Sequence, residues 1–367
     1  MIHVILFIPL FTYAILWIYF IVGCQRKAFN SSNHLKSFSI TIVIPFRNES
    51  HRIDDLLISL DDLDETACEL NILFIDDHSS DDGKEKINSW KNKTQKKVQL
   101  IELNQTNEFG KKRAIKKGID HSYDDWIFTL DADSKISKHF LQKFKSHISE
   151  NKEMYLLPVV ENSSGFSLSV IESYMLSIIA FASANNHTPI LANGTGMIFK
   201  RNLFLQLDPY NGNYHIASGD DLFFLEKVNE KEPSKITAIT AKELIIETHS
   251  PNSYANMLSR SVRWVSKMNQ SNLHYTKIIG LVVILCNLSI LTSIGYSIFQ
   301  YDLKILLSII SLKFFFDIAL FSMAVKFYGN KKLILKTPMI YLFYPLHLLI
   351  VMIYLMIGNK SWKGRKI

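Results

Sequence analysis

The sequence predicts a mixed α/β domain with a mostly parallel sheet, attached to apolar helices of membrane-spanning length. Between residues 40 and 130, short buried-strand patterns alternate with helical patterns of about ten residues, which is typical of parallel sheets. The 367 residues are 48% hydrophobic and their mean hydropathy is +0.09, yet 20% of them are charged. The two properties are segregated, because long apolar runs flank a central stretch of ordinary globular composition.

Four apolar runs are long enough to cross a bilayer, at 2–22, 278–299, 303–327 and 338–357. The resulting division of the chain is an N-terminal transmembrane anchor over 1–24, a globular domain over 36–270, membrane segments over 278–358 and a basic tail over 359–367.

The first run has two interpretations. Ile21-Val22-Gly23-Cys24 resembles a lipoprotein cleavage site, but a secretory signal carries positive charge before its apolar region, where this chain has only His3. Arg26 and Lys27 follow the run instead, which favours an uncleaved anchor with its N-terminus outside. We therefore expect a multi-pass integral membrane protein, as in a bacterial inner membrane, with the globular domain in the cytoplasm.

The later runs leave two questions open. Lys313 and Asp317 lie four residues apart on one helix face, so they form either a structural ion pair, which we favour, or part of a transport path. The last run contains Pro345 and His347 and is either a third C-terminal span or a re-entrant or interfacial segment. If it spans, the basic tail lies outside, against the usual charge bias.

Cysteine spacing and net charge exclude several classes of function. Cys24, Cys68 and Cys286 are scattered, which indicates neither a zinc site nor a disulfide framework. The net charge is +7, but much of it lies beside the apolar runs, where it would contact anionic lipid headgroups rather than nucleic acid.

The globular domain begins after a polar linker, Asn30 to Ser37. The predicted strands are Ile40–Pro45, Leu70–Ile75, Val98–Leu103 and Trp126–Leu130, and the predicted helices between them are Asp54–Leu63, Asp82–Lys93 and Lys111–Ile119. In open α/β sheets, ligands bind outside the carboxyl ends of the strands, so the residues that follow these strands are the candidates for a site.

Acidic and basic side chains occur at those positions and in two later segments. Asp76-Asp77 follows the second strand, Asp131-x-Asp133 follows the fourth, Asp220-Asp221 opens a helix after a glycine turn, and Arg260-x-x-Arg263-Trp264 lies on a basic helix. Two carboxylates one residue apart can share a divalent cation that neutralises a nucleotide diphosphate. A further carboxylate can act as general base toward an acceptor hydroxyl, and an arginine can offset charge on the leaving group.

Each segment also has a purely structural interpretation. Asp76-Asp77 could cap the next helix, Asp220-Asp221 could complement a helix dipole, and the arginines could contact lipid headgroups. The occurrence of all four segments in this order favours the catalytic interpretation.

The ordered motifs resemble those of membrane-bound family 2 glycosyltransferases with the GT-A fold, including ceramide glucosyltransferases and bacterial polysaccharide synthases. The matching segments are Val43-Ile44-Pro45-Phe46-Arg47-Asn48-Glu49, Asp76-Asp77-x-Ser79, Asp131-x-Asp133, Asn193-Gly194-Thr195-Gly196, Gly219-Asp220-Asp221, Arg260-x-x-Arg263-Trp264 and the tail Trp362-Lys363-Gly364-Arg365. The resemblance implies a Rossmann-like, mostly parallel domain with one N-terminal and two to three C-terminal transmembrane helices.

The resemblance also implies roles for the matching residues. Asp221 would be the general base, and Arg263 with Trp264 would close over donor and product. Asp131 and Asp133 would hold Mg²⁺ or Mn²⁺ and the diphosphate. The implied nucleotide-binding residues are Pro45, Glu49, Asp77, Lys111, Asp131 and Arg260.

Two motifs depart from the common pattern. The segment around the base is Gly-Asp-Asp rather than Glu-Asp or Thr-Glu-Asp, so Asp220 could substitute for Asp221. The segment Arg260-x-x-Arg263-Trp264 replaces the Gln-x-x-Arg-Trp of polymerising synthases and is similar to the ceramide glucosyltransferase type, which favours a single transfer.

The function expected from the resemblance is an inverting hexosyl or N-acetylhexosaminyl transfer from a nucleotide-sugar to a lipid or growing glycan at the inner membrane face. The alternatives are a polyprenyl-phosphate glycosyltransferase and, in a different class, a non-catalytic membrane protein that binds nucleotide-sugar. A small transporter is disfavoured, because four apolar runs are few for one.

Overall fold

The computed structural model describes most of the chain. The described residues are 2–26, 37–104, 109–162, 167–216, 218–270, 273–301, 303–357, 361–362 and 365–366. Lys27, the linker up to residue 36 and Lys363 of the predicted tail lie outside these ranges.

The first part of the chain alternates helices and strands as the sequence predicts. Its elements are α1 Ile2–Gln25, β1 Ser39–Phe46, α2 Ile53–Asp61, β2 Glu69–Asp76, α3 Gly83–Lys91, β3 Val98–Glu102, α4 Lys111–His121 and β4 Trp126–Thr129. All four predicted strands and the three predicted helices between them are confirmed, with ends that shift by one or two residues.

The second part of the chain has shorter strands and longer helices. Its elements up to residue 248 are β5 Ser134–Lys135, α5 Phe140–Lys145, β6 Met154–Leu156, β7 Val159–Glu161, α6 Ser167–Asn185, β8 Met197–Lys200, α7 Arg201–Leu207, α8 Asp220–Lys231, β9 Ile236–Ala238 and β10 Ile246–Thr248. They are followed by α9 Tyr254–Asn269, α10 His274–Gln300, α11 Lys304–Tyr328, α12 Thr337–Ile357, β11 Ser361–Trp362 and β12 Arg365–Lys366.

A seven-stranded sheet forms the centre of the domain, in the order β3-β2-β1-β4-β8-β6-β9. The pairs β3-β2, β2-β1, β1-β4 and β6-β9 are parallel, whereas β8 runs antiparallel to both of its neighbours. A second sheet, β5-β10-β7, lies beside it. The predicted mixed α/β domain with a mostly parallel sheet is therefore confirmed.

Strand β1 shows why this sheet is covered on both faces. Ile40, Ile42 and Ile44 belong to one apolar core and Val43 belongs to the other, since alternate side chains of a strand point to opposite faces. On the second face, α4 packs so closely that a Cβ on Gly118 would lie 2.5 Å from Cγ1 of Val43. A buried strand of this kind needs apolar residues at nearly every position, which is what the sequence has.

Helix α6 joins the central domain to the apolar helices. It packs against β7 and β9 on one side and against α1 and α11 on the other. It meets the length and hydropathy criteria for a membrane span, but 72% of its most apolar stretch is buried, against 33% or less for the other four candidate spans. The sequence analysis did not identify this helix.

Strand pairing excludes a membrane crossing at α6. Strand β6 precedes α6 and strand β8 follows it, yet the two strands pair in one sheet. A crossing would place them on opposite sides of a bilayer, so we assign α6 to the globular domain. The remaining candidate spans are Leu6–Gln25, His274–Gln300, Lys304–Tyr328 and Lys331–Ile357.

The predicted pair of charges in α11 forms a buried ion pair. Lys313 Nζ lies 2.5 Å from Asp317 Oδ2, and the Tyr13 hydroxyl of α1 donates to the same carboxylate. The pair thus links two helices, which agrees with a structural role. The last apolar run is one continuous helix, α12, that passes through Pro345 without a break.

Candidate active site

The candidate site lies at the carboxyl edge of the parallel strands. Glu49, Asp77 and Asp131 follow β1, β2 and β4, which are neighbours in the sheet. Pro45 is buried within β1, where it lies opposite Ile75 of β2. It comes after the last residue of β1 that pairs with β4. The topology therefore gathers these four predicted residues along one edge.

Asp77 faces the beginning of α4 rather than capping the helix that follows it. The backbone N–H of Gly110 donates to both carboxylate oxygens, at 3.0 and 3.1 Å. Gly110 has a φ of +102°, a conformation that favours glycine, and it immediately precedes α4. The N-cap residue of α3 is Asp82 rather than Asp77, and the Asp77 carboxylate instead holds Gly110, next to Lys111.

The loops after β1 and β2 are tied together by hydrogen bonds. Asn48 donates its backbone N–H to Oγ of Ser79 at 3.1 Å and accepts the backbone N–H of Ser80 at 2.8 Å. Asn48 adopts a φ of +54°, which asparagine tolerates better than most residues. These contacts give Asn48 and Ser79 of the two opening motifs a structural role.

Lys111 links the Asp131 motif to the helix that begins at Asp220. Its Nζ lies 2.7 Å from Asp131 Oδ1 and 3.2 Å from Asp220 Oδ2. Burial lowers the pKa of Lys111, but the charges of Asp131 and Asp220 outweigh it and raise this pKa above its ordinary value. Burial raises the pKa of Asp220, but the charges of Lys111 and Lys267 outweigh it and keep this pKa below its ordinary value.

The segment Asn193-Gly194-Thr195-Gly196 lies against the cluster that Lys111 forms with Asp131 and Asp220. The Thr195 hydroxyl accepts the backbone N–H of Asp131 at 2.9 Å and lies 2.6 Å from the hydroxyl of Ser134. A Cβ on Gly194 would lie 2.6 Å from Asp220 Oδ2 and 2.8 Å from Lys111 Nζ. Glycine at 194 therefore allows the lysine and the two carboxylates to meet.

Asp133 lies on the other side of the motif, next to α2. Its Oδ2 is 3.3 Å from Arg52, which also pairs with Glu49 at 2.7 Å. Burial, together with the charge of Asp131, raises the pKa of Asp133 to about 6. The local negative potential is therefore incompletely offset, which is the environment that a divalent cation relieves.

The sequence analysis missed His249, which the strand register places beside Asp133. In the antiparallel pair β5-β10, Thr248 is opposite Ser134, so the next pair outward is His249 opposite Asp133, on the same face of the sheet. The imidazole contributes to the electrostatics of Asp133 and lies 3.3 Å from Asp55. No local motif marks this residue, because only the pairing of distant strands brings it to the site.

Among the described residues, no group of three or more acidic, histidine or cysteine side chains is already arranged to hold a metal ion. The carboxylates of Asp131 and Asp133 with the imidazole of His249 nevertheless offer oxygen and nitrogen donors that suit Mn²⁺ or Mg²⁺. A cation held there would complete its shell with phosphate oxygens and water.

Asp221 contacts a different cation from Asp220. Both residues open α8 after Gly219, whose φ is +87°. Lys267 Nζ of α9 lies 2.8 Å from each carboxylate oxygen of Asp221. The helix start predicted from the sequence is therefore confirmed, and the two aspartates diverge within it.

Helix α9 presents Arg263 to the site and Arg260 to the interior. Burial lowers the pKa of Arg263, and the charges of Asp131, Asp220, Asp221 and Asp133 oppose that shift, which places its guanidinium opposite the carboxylates. Arg260 instead forms ion pairs with Glu161 of β7 and Glu172 of α6 and stacks on Trp264 at 4.4 Å. Burial lowers the pKa of Arg260 to about 9. Arg260 therefore anchors α9 and Trp264 in this structure, and its contact with the donor stays a prediction.

Comparison with known proteins agrees with this geometry. Residues 41–205, which include β1 to β8 and the Asp77 and Asp131 motifs, match the family model described as Glycosyl transferase family 2. This part of the chain, a little under half of it, is therefore similar to family 2 glycosyltransferases. A comparison with curated protein sequences found no match.

The similar solved structures include a mannosyltransferase. The mannosyltransferase PcManGT from Pyrobaculum calidifontis, in complex with GDP-Man and Mn²⁺, is 13% identical over 98% of this chain and 100% of its own, with a TM-score of 0.60. S. aureus TarS 1–349 in complex with UDP is 17% identical over 84% and 91% of the two chains, with a TM-score of 0.47. Glucosyl-3-phosphoglycerate synthase from Mycobacterium tuberculosis, in complex with Mn²⁺ and UDP, is 14% identical over 62% and 79%, with a TM-score of 0.43. The first of these shows that the chain has a GT-A-like fold.

Proposed function

We propose that this protein is a glycosyltransferase that transfers a sugar, with inversion, from a nucleotide-sugar to a lipid or growing glycan acceptor at the cytoplasmic face of a membrane. The observation that carries the proposal is the convergence of Asp131, Asp133, Asp220 and Asp221 with Lys111, Arg263 and Lys267 beside the carboxyl ends of β1, β2 and β4. The same edge lies close to α9, which packs against the apolar helices α10 and α12.

The nucleotide would bind along the loops after β1 and β2. Pro45 and Glu49 line this edge, and Asp77, already ordered by Gly110, can accept hydrogen bonds from the base or ribose. Lys111 would exchange one of its carboxylate contacts for a diphosphate oxygen, because a phosphate competes well for an ammonium group.

Asp131 and Asp133, with His249, would hold Mg²⁺ or Mn²⁺. The cation would offset the negative charge of the diphosphate and improve it as a leaving group. The P. calidifontis neighbour was crystallised with GDP-Man and Mn²⁺, which supports this choice of donor class and metal.

Asp221 would act as general base. Its carboxylate takes the proton of the acceptor hydroxyl while the acceptor oxygen attacks the anomeric carbon, and the bond from that carbon to the diphosphate oxygen breaks on the opposite face. The nucleoside diphosphate leaves, and Arg263 offsets the charge that develops on it. Trp264, held by Arg260, would provide a flat surface for a sugar ring.

The orientation of the acceptor follows from the position of α9. An acceptor that approaches Asp221 passes this helix, whose apolar side contacts α10 and α12, so a lipid-linked hydroxyl suits the site. The arginine at 260 favours a single transfer, since it replaces the glutamine of polymerising synthases.

We expect two aspartate variants to separate donor binding from transfer. Asp133→Ala should abolish Mn²⁺-dependent binding of nucleotide-sugar, as measured by calorimetry on purified protein. Asp221→Asn should leave donor affinity within about three-fold yet reduce transfer by roughly two to four orders of magnitude, the usual value of a positioned base.

Asp220→Asn is the matched control, because it removes the neighbouring charge, and we expect a milder loss of transfer. An inactive Asp220→Asn with an active Asp221→Asn would reassign the base to Asp220. Donor binding without any hydrolysis or transfer in the unaltered protein would instead identify a non-catalytic nucleotide-sugar-binding protein. If both variants still transfer sugar to a polyprenyl phosphate, the protein is a polyprenyl-phosphate glycosyltransferase. Such an enzyme depends less on a base.

A further inference from the structure

Lys267 is a cation that the sequence motifs do not include. It lies one helical turn beyond Arg263 on α9, so the two side chains share a face of that helix. Its Nζ is 2.8 Å from both Oδ1 and Oδ2 of Asp221, and only 12% of the lysine side chain and 10% of the aspartate side chain are exposed. This is a nearly buried, two-point contact rather than a surface ion pair.

The two oxygens of Asp221 are not equivalent. Oδ1 accepts the Lys267 ammonium and also the backbone N–H of Leu222, at 2.7 Å. Oδ2 has the Lys267 contact at the same distance and keeps more of its capacity to accept a further hydrogen bond. The contacts therefore fix the plane of the carboxylate.

The neighbouring lysines, Lys111 and Lys112, have other partners. Lys111 pairs with Asp131 and Asp220, and buried Lys112 donates to the carbonyl oxygens of Asn213 and Ile216. Arg263 faces all four aspartates, and Tyr210 lies close enough to Asp220 and Asp221 for their charges to raise its pKa. Lys267 is thus the lysine whose direct ion pair orients Asp221.

We propose that Lys267 is a positioning residue for the base, which holds the carboxylate of Asp221 so that Oδ2 receives the proton of the acceptor hydroxyl. This inference rests on the proposed function, in which Asp221 is the base. A third group that orients a base is a recurring arrangement in enzymes, and its loss affects turnover more than binding.

The test compares three variants of the full-length protein in detergent. Lys267→Met retains the length and apolar character of the side chain without its charge, and we expect it to lower the turnover number of transfer by about 10- to 100-fold. Mn²⁺-dependent affinity for the donor nucleotide should stay within about three-fold. Lys267→Arg should restore most of the turnover, because a guanidinium can make the same two-point contact. Lys277→Met, an exposed lysine at the start of α10, is the control and should leave transfer unchanged.

A double-mutant cycle distinguishes an effect of Lys267 through Asp221 from a role of Lys267 in packing alone. If Lys267 acts through Asp221, the combination of Lys267→Met with Asp221→Asn should be no slower than Asp221→Asn alone. Additive losses, or a parallel fall in donor affinity in Lys267→Met, would overturn the proposal and make Lys267 a structural or diphosphate-binding residue. If Lys267→Met lowers the unfolding temperature, Lys267→Gln takes its place.

Failure of the proposed function would look different. In that case the unaltered protein would show no transfer or donor hydrolysis, or Asp221→Asn would retain full activity, before any Lys267 variant is compared.

Discussion

At the scale of single residues, Asp133 shows how the surroundings of a side chain prepare it for a ligand. It lies beside Asp131, it pairs with Arg52 at 3.3 Å, and His249 is its cross-strand neighbour. Burial and the charge of Asp131 together raise its pKa to about 6, so the proton and a cation compete for the same oxygens.

The raised pKa predicts the pH dependence of metal binding. A carboxyl whose pKa is raised is protonated over a wider acidic range, and only the ionised form binds metal. Affinity for Mn²⁺ should therefore be constant above about pH 7 and fall roughly ten-fold per pH unit below pH 6. Electron paramagnetic resonance of free Mn²⁺ measures this directly, and unchanged affinity at pH 5 would contradict it.

The sequence predicts some site residues and misses others for a physical reason. Asp77, Asp131 and Asp221 follow strands or open helices, so local patterns place them at the edge of the sheet. His249 reaches the site through the β5-β10 register, and Lys267 through an ion pair between α9 and α8, neither of which local spacing encodes. Arg260 fits a motif but turns inward, because Glu161 and Glu172 compete for its guanidinium.

At the scale of elements, the crossing of α1 and α6 connects the anchor to the domain. Gly23 of α1 approaches Ala182 of α6 so closely that a Cβ would lie 2.3 Å from the Ala182 carbonyl oxygen. Around this point, Tyr19 accepts the Asn186 side-chain amide at its carbonyl, and Arg26 donates to the carbonyl of Asn185. The anchor is therefore packed onto the domain rather than joined to it by the linker alone.

We expect Gly23→Ala to destabilise this crossing by about 1–3 kcal/mol, because the new methyl group meets backbone atoms that cannot rotate away. The midpoint of thermal unfolding in detergent should fall accordingly. Gly295→Ala on α10 is the matched control, since nothing lies within 4 Å of its Cβ position, and it should be neutral or slightly stabilising. If both variants changed the unfolding midpoint equally, the close approach of Gly23 to Ala182 would make no contribution to stability.

Element prediction from sequence works for β1 to β4 and fails for α6. The strands have uninterrupted apolar runs between turn residues, whereas α6 contains serines and Glu172 among its apolar residues. These polar groups find partners only in the folded protein, as Ser169 does with Glu161. The sequence of this helix therefore resembles neither a strand nor an obvious membrane span. Packing against α1 and α11 is what stabilises the helix in the folded protein.

At the scale of the whole molecule, one apolar core continues from the sheet into the candidate spans. It includes Val43 and Met197 of the sheet, Ile178 of α6, and Phe20 and Phe321 of the apolar helices. The helix pair α10-α11 returns the chain to the side of the domain, where Lys336 contacts Ser167 of α6. Lys326, Lys331 and Lys332 are at this same end, which agrees with a cytoplasmic assignment.

A topology reporter tests this arrangement. A reporter fused near residue 150 should register as cytoplasmic, and a reporter inserted at Tyr301, in the exposed connection between α10 and α11, should register on the opposite side. If the reporter fused near residue 150 is active only outside the cytoplasm, the expected orientation of the domain is wrong. Identical readings from both positions would show that α10 does not cross.

The apolar composition of α6 has a consequence for biosynthesis. As the nascent chain emerges, α6 follows α1 and appears long before α10 and α11 are available to pack with it. Insertion responds to length and hydropathy, and α6 satisfies both criteria. A chain that inserted α6 would carry Asp131 and Asp220 on opposite sides of the bilayer and could not assemble a site. Glu172, Ser169, Ser173 and Ser183 lower the tendency of this helix to partition into lipid, so they act on topology during synthesis before they take part in the fold.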